Sequence, residues 1–208
     1  MKSQRTFGVL AAVVCLLGAG AIMLSSRGRG RLRNGHPDPY STSHVDGVPA
    51  TSAAIEENEQ HARRAMATLL RAESAFRSKD VDGNSFSDFW IADVAGLYWL
   101  QGVDGNPIKL VDVDIAGADL TPVTAPGIVS HPVIAPRPYH GYFFRMMPGY
   151  DRGNGRNPSQ YAFLAVPSEY GKTGRRTFIG NEDYTVYGKD TGGKAPDRFP
   201  ADPVAEGW

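Results

Sequence analysis

The residues best spaced for chemistry are Asp80, Asp82, Asn84 and Asp88, in the stretch DVDGNSFSD. Oxygen-bearing side chains at alternate positions are how a calcium loop presents its ligands. The pattern departs from that loop where it is most demanding, with Ser85 instead of Gly at the sixth position and Ile91 instead of Glu at the twelfth. These four residues are the one metal candidate of the chain, set against the plainer reading of a polar turn that closes a helix. Other groups offer less. His36 and His44 lack supporting ligands, and His131 and His140 have no Cys or close His partner with which to hold zinc. Ser168 and Glu169 would need His140 brought beside them to act as hydrolytic partners, and otherwise read as a turn. Asp112, Asp114 and Asp119 read as solvent-facing acids, and Arg175-Arg176 as surface charge. No GxSxG, HExxH, P-loop or dinucleotide fingerprint occurs. The expectation is therefore a protein without catalytic residues or a cofactor.

These residues hang on a small number of predicted elements. Thr51 or Ser52 can cap a helix, with Ser52 the better placed and Glu56, Glu57 and Glu59 in the first turns, where the dipole favours anions. Ile55, Ala62, Leu69 and Phe76 recur at heptad spacing, with Ala65, Met66 and Ala72 between them, so one apolar stripe runs for some 25 residues. It reads as a helix laid on a sheet. Phe86–Leu100 is the most aromatic stretch, and Trp90, Val94 and Leu97 suggest a short helix there. Its aromatics read as core, with a ligand-stacking platform as the alternative. Ile108–Ile115 is a strand or short helix, and the Pro-rich 122–138 stretch cannot be a central strand. Three apolar–polar alternations then predict an antiparallel sheet: Gly141–Met147, Tyr161–Pro167 and Thr177–Tyr187, the last bent near Gly180–Asp183 or split there into a hairpin. The polar, glycine-rich loop Pro148–Gln160 reads as exposed.

Charge and hydropathy divide the chain of 208 residues further. Residues 1–33 carry six Lys/Arg and no acid, whereas the remainder carries 16 Lys/Arg against 22 Asp/Glu, a net of −6. Such an acidic body lacks the basic face of a nucleic-acid binder. Phe7–Leu24 is an uncharged run of eighteen residues, about 27 Å as a helix, enough to span a bilayer core. It reads as an uncleaved anchor, with a cleaved signal ending at Ala19-Gly20-Ala21 or a buried helix as alternatives. Cys15, the only cysteine, lies inside this run, so the body has no disulfide. Residues 27–50, rich in Gly, Pro, Ser and charge, read as a flexible tether. The resulting organisation is a membrane or signal segment at 1–26, a linker at 27–50, a domain at 51–190 and a tail at 191–208.

The block Gly141-Tyr142-Phe143-Phe144-Arg145, Ala165-Val166-Pro167, Glu169-Tyr170-Gly171, Arg176-Thr177-Phe178 and Val186-Tyr187 resembles the C-terminal part of bacterial exported proteins classed as domain of unknown function 2950. It is also similar to pilin- and pseudopilin-like proteins. That resemblance implies an α+β fold in which an N-terminal membrane helix, a tether and a long helix precede a small antiparallel sheet. Gly8-Val9-Leu10-Ala11-Ala12-Val13 lacks the acid that a type IV pilin carries at the fifth position of its helix, so a tethered pilin-like module is expected over a polymerising subunit. The expected role is non-catalytic, structural or protein-binding, at the inner membrane with the body outside the cytoplasm, or secreted after cleavage. Its partners would be the membrane and envelope proteins. The alternative is a module that binds carbohydrate or calcium.

Overall fold

The computed structural model describes residues 51–123, 135–150 and 154–208, all within the unit Asp46–Trp208. The apolar run at 7–24, Cys15, the tether, His36, His44 and His131 lie outside the described residues. Among those described, no helix is long and apolar enough to cross a membrane.

Helix α1 spans Ser52–Lys79. Its N-cap is Thr51 rather than Ser52: the Thr51 hydroxyl accepts the Ala54 N–H at 3.2 Å, satisfying one of the donors a helix start leaves open. The acids Glu56, Glu57 and Glu59 fall beyond the first turn. The heptad stripe is buried as its spacing requires, with Ala62, Met66 and Leu69 fully enclosed. Asp80 ends the helix in the left-handed conformation, φ 45°.

The main sheet has four antiparallel strands in the order β2 (Tyr142–Met146), β4 (Ala162–Pro167), β5 (Arg176–Asn181) and β6 (Val186–Asp190). The last predicted segment thus takes its hairpin form. Alternation sorts the side chains by face. Tyr142, Phe144, Phe163, Ala165 and Phe178 join the core shared with α1, whereas Ala162, Leu164 and Ile179 lie on the opposite face. There they meet Phe199 and Trp208 from the expected tail. Strand β4 is covered on both faces, which explains why YAFLAVP is almost continuously apolar.

Between helix and sheet, three expectations change. The aromatic stretch forms a two-residue strand β1 (Phe89–Trp90) and a single-turn helix α2 (Gly96–Trp99) in place of one short helix. Ile108–Ile115 is neither a strand nor wholly helical; only its end enters α3 (Val113–Gly117). The loop expected to be exposed contributes β3 (Arg156–Asn157), which pairs with β1, and buries Asn157. A side chain on Gly96 would collide with the Trp90 indole, so the turn into α2 requires glycine. The β2 edge is closed by the 118–120 segment: Leu120 N–H donates to Phe144 O at 2.7 Å and Phe144 N–H to Ala118 O at 2.9 Å.

Candidate functional site

Two of the calcium candidates, Asp82 and Asp88, do converge, but on a guanidinium. Arg156, delivered by β3, places Nη2 2.6 Å from Asp82 Oδ2 and Nη1 4.0 Å from Asp88 Oδ1. Its charge also lies over the rings of Trp90 and Phe76, at 5.3 and 5.6 Å from their centroids. The loop itself is held by its own side chains. Asp80 Oδ2 accepts the Ser85 N–H, Asn84 Oδ1 accepts the Phe86 N–H, and Asn84 Nδ2 donates to Asp82 Oδ2. Among the described residues, no group of three or more His, Cys, Asp or Glu is placed to hold a metal ion. The loop is a helix-ending polar turn, and the cation it faces belongs to the protein.

Beneath the turn lies Glu73, fully buried, its Oε2 accepting the Trp90 N–H at 3.0 Å and its Oε1 without a partner. Burial raises its carboxyl well above the usual range, and nearby Asp88 adds to the effect while the Trp90 N–H bond opposes it. Burial likewise raises Asp82, against the pull of Arg156. Neither Glu73 nor Arg156 stands out as a site in the sequence. One signal was available: Glu73 lies seven residues after Met66, on the track of the buried stripe.

Two further buried acids bond mainly to backbone N–H groups. Asp119, expected to face solvent, is 2% exposed. Its Oδ2 accepts the N–H groups of Val94 and Ala95 at 2.7 and 2.8 Å, and Oδ1 accepts that of Thr121 at 2.9 Å. Asp93 Oδ1 takes the Trp90 indole N–H and the Gly96 N–H, and Oδ2 takes the Val123 N–H. Together they pin the turn before α2 to the segment that closes the β2 edge.

The hydrolytic grouping does not form. The Ser168 hydroxyl bonds the Thr173 hydroxyl at 3.3 Å, and Glu169 pairs with Lys172 at 2.7 Å. His140 instead stacks on His61, with ring centroids 3.7 Å apart and planes 3° from parallel. Burial and the His61 charge both lower the His140 pKa. The Arg175-Arg176 pair acts through its backbone: both N–H groups donate to Glu59 Oε1, at 2.9 and 3.0 Å. With Asn58 Nδ2 donating to Thr173 O, this fastens the 169–176 turn to α1. Gly174 sits against the Tyr142 hydroxyl, where a side chain would collide. The motif EYGKTGRRTF is thus a docking clasp between turn and helix.

Two surface features remain open. Among the described residues, no backbone pairs with the outer edge of β6. A hollow of about 390 Å³ runs beside that edge, between Glu59, Gln60 and Arg63 of α1 and Tyr187, Gly188 and Trp208. A second hollow, of about 490 Å³, opens over Asp88 and Arg156.

No curated protein and no solved structure matches the chain. The family profile described as "Protein of unknown function (DUF2950)" matches residues 51–202, from the N-cap of α1 past β6 and Phe199, and so takes in the clasp, the buried acids and both hollows' strand residues: the chain belongs to the DUF2950 family.

Proposed function

We propose that the chain is a membrane-tethered, non-catalytic protein-interaction module of the cell envelope, which takes an extended peptide segment of an envelope partner along β6. The observation that carries this reading is the unpaired outer edge of β6 beside the α1 hollow. An unpaired edge presents a row of main-chain donors and acceptors, and adding a strand is a recurrent way of binding peptides. Charges usually guard such edges, but here they are tied back. Lys189 Nζ donates to Glu206 O at 2.6 Å, and Asp190 accepts the Tyr170 hydroxyl at 3.0 Å. The other edge of this sheet is already capped by 118–120, so among the described residues β6 is the edge of the four-stranded sheet left for a partner. The pilin-like part of the reading rests on α1 lying across one face of an antiparallel sheet. Membrane attachment rests on the uncharged run at 7–24.

A photo-crosslinking residue at position 189 of the full chain, expressed in cells, tests this. It should yield a discrete adduct with an envelope protein, while the same residue at Arg71, on the exposed face of α1, should yield none. Identical adducts from both positions, or none from 189, overturn the reading. Protease accessibility in intact cells, with the mass of the mature protein, checks the tether and its sidedness.

A further inference from the structure

Building on the β6 edge as the strand-accepting site, we infer that the segment it accepts runs antiparallel to β6 with a fixed charge order. In sequence it carries a cation, an apolar residue, a small uncharged residue, an apolar residue and an acid. The two sides of the edge differ in chemistry. Val186 packs into the core shared with α1 and Gly188 lies against the Phe178 ring, so these residues and Asp190 mark the α1 side of the strand. Tyr187 packs on the opposite face with Phe199 and Trp208, and Lys189 Nζ lies 5.8 Å from the centre of the Trp208 ring. A strand laid along β6 turns alternate side chains to these two walls.

The wall made by α1 is polar and charged. Glu56, Gln60 and Arg63 share one helical face by their spacing, and all three are exposed and line the hollow of about 390 Å³. Among the described residues, no ion pair or hydrogen bond engages the side chain of Glu56 or Arg63. The helix runs against β6. Glu59 accepts the N–H of Arg176, whose strand partner is Asp190, and Leu70 lies against Gly180, whose partner is Val186. Glu56 is therefore placed toward the Asp190 end of the edge and Arg63 toward the Val186 end. At the Asp190 end, Glu56, Glu59 and Asp190 outnumber Arg175 and Arg176 around an adjoining hollow of about 460 Å³.

Every pairing in this sheet is antiparallel, and an antiparallel strand continues it. Its residue opposite Asp190 faces Glu56 and suits Lys or Arg. The residue opposite Val186, four positions on, faces Arg63 and suits Asp or Glu. Seven helical residues rise about 10.5 Å and four strand residues about 13.6 Å, and these long side chains span the difference of about 3 Å. The position between them, opposite Gly188, meets Gln60 and the Phe178 ring, where a small uncharged residue fits. The two remaining positions turn to Tyr187 and Trp208, which favour apolar side chains. The reverse charge order sets an acid against Glu56 and a cation against Arg63, and so is rejected.

The full chain, purified in detergent and carrying the photo-crosslinking residue at 189, is irradiated with two acetylated and amidated peptides, SVKVTVEVS and SVEVTVKVS. They share composition and strand propensity and differ in charge order alone. The first should be captured at about tenfold lower concentration, since each exposed ion pair contributes a factor of up to about five. The preference should shrink in about 1 M salt. It should invert when Glu56→Lys is combined with Arg63→Glu; both positions are exposed, and the unfolding temperature verifies that the fold is kept. Equal capture of the two peptides, a preference for the second by the parent, or an unchanged preference in the variant overturns the charge order and leaves β6 a strand-accepting edge. Capture of neither up to about 1 mM overturns the charge order together with that edge. Chain–chain adducts in place of peptide adducts assign the edge to a second copy and overturn both.

Discussion

Replacing Asp119 by Asn sets two opposing effects against each other at one buried carboxylate. Three backbone N–H groups, from Val94, Ala95 and Thr121, converge on its two oxygens. Burial still raises the carboxyl from 3.8 to about 6; Asp93 pushes it the same way and the three N–H bonds resist. A displacement of that size is worth about 3 kcal/mol. The folded value lies above the unfolded one, so the fold holds this proton more tightly than the unfolded chain does. The associated stability is complete below about pH 3.8 and is lost as the pH rises through about 6. Asp119→Asn removes the charge and with it that slope. The new amide also turns an NH2 toward a backbone N–H, leaving a buried donor unsatisfied at a cost of about 1–3 kcal/mol. At pH 4, with the parent carboxyl protonated, the variant should therefore be less stable by about that amount. Toward pH 7 the parent carries a buried charge that the variant lacks, and the gap should close or reverse. For a chain of this size 1 kcal/mol moves the unfolding temperature by about 2–4 °C, so the pH 4 gap amounts to several degrees. Urea unfolding of both proteins at pH 4, 5, 6 and 7, followed by tryptophan fluorescence, measures the difference, and titrations common to both cancel. A gap that stays constant across this range would refute the argument.

Leu69 is fully buried in the α1 stripe, and Leu69→Ala should cost about 2–5 kcal/mol in urea unfolding, with loss of the Tm expected of an unfilled core position. A loss under 1 kcal/mol would mean that α1 does not seat on the sheet through that residue. Calcium at millimolar concentration, or its removal by a chelator, should leave the unfolding temperature unchanged, because Arg156 supplies the cation to Asp82 and Asp88. A rise of several degrees on adding calcium would show that the loop binds the ion after all.

Much of the architecture was legible along the chain because periodicity is a local property. The heptad stripe from Ile55 to Phe76 defined a helix face, and the alternation in YFFRM, AFLAVP and RTFIGN marked strands. Where local pattern was short or ambiguous, the reading faltered. Two-residue strands such as β1 and β3 leave no period to detect, and they exist only because each supplies the other's backbone partners. The polar turn after α1 was readable from its Asp, Gly and Asn content, but the occupant of its acidic face was not, since Arg156 lies in a loop that looked exposed.

The sequence by itself determined that an α1-type helix and an antiparallel sheet would form, that the turn at 80–85 would end the helix, and that the C-terminal motif block would mark the family. Tertiary structure decided what each charged side chain does. Glu73 reaches Trp90, 17 residues on; Asp119 reaches Val94, 25 back; Glu59 meets Arg175 across 116 positions. No local signal encodes such pairings, because a carboxylate's chemistry depends on what surrounds it. A solvated acid and a buried one are the same letter, and only the packed fold, by excluding water and aligning backbone N–H groups, makes Asp119 a staple and Arg156 a resident cation.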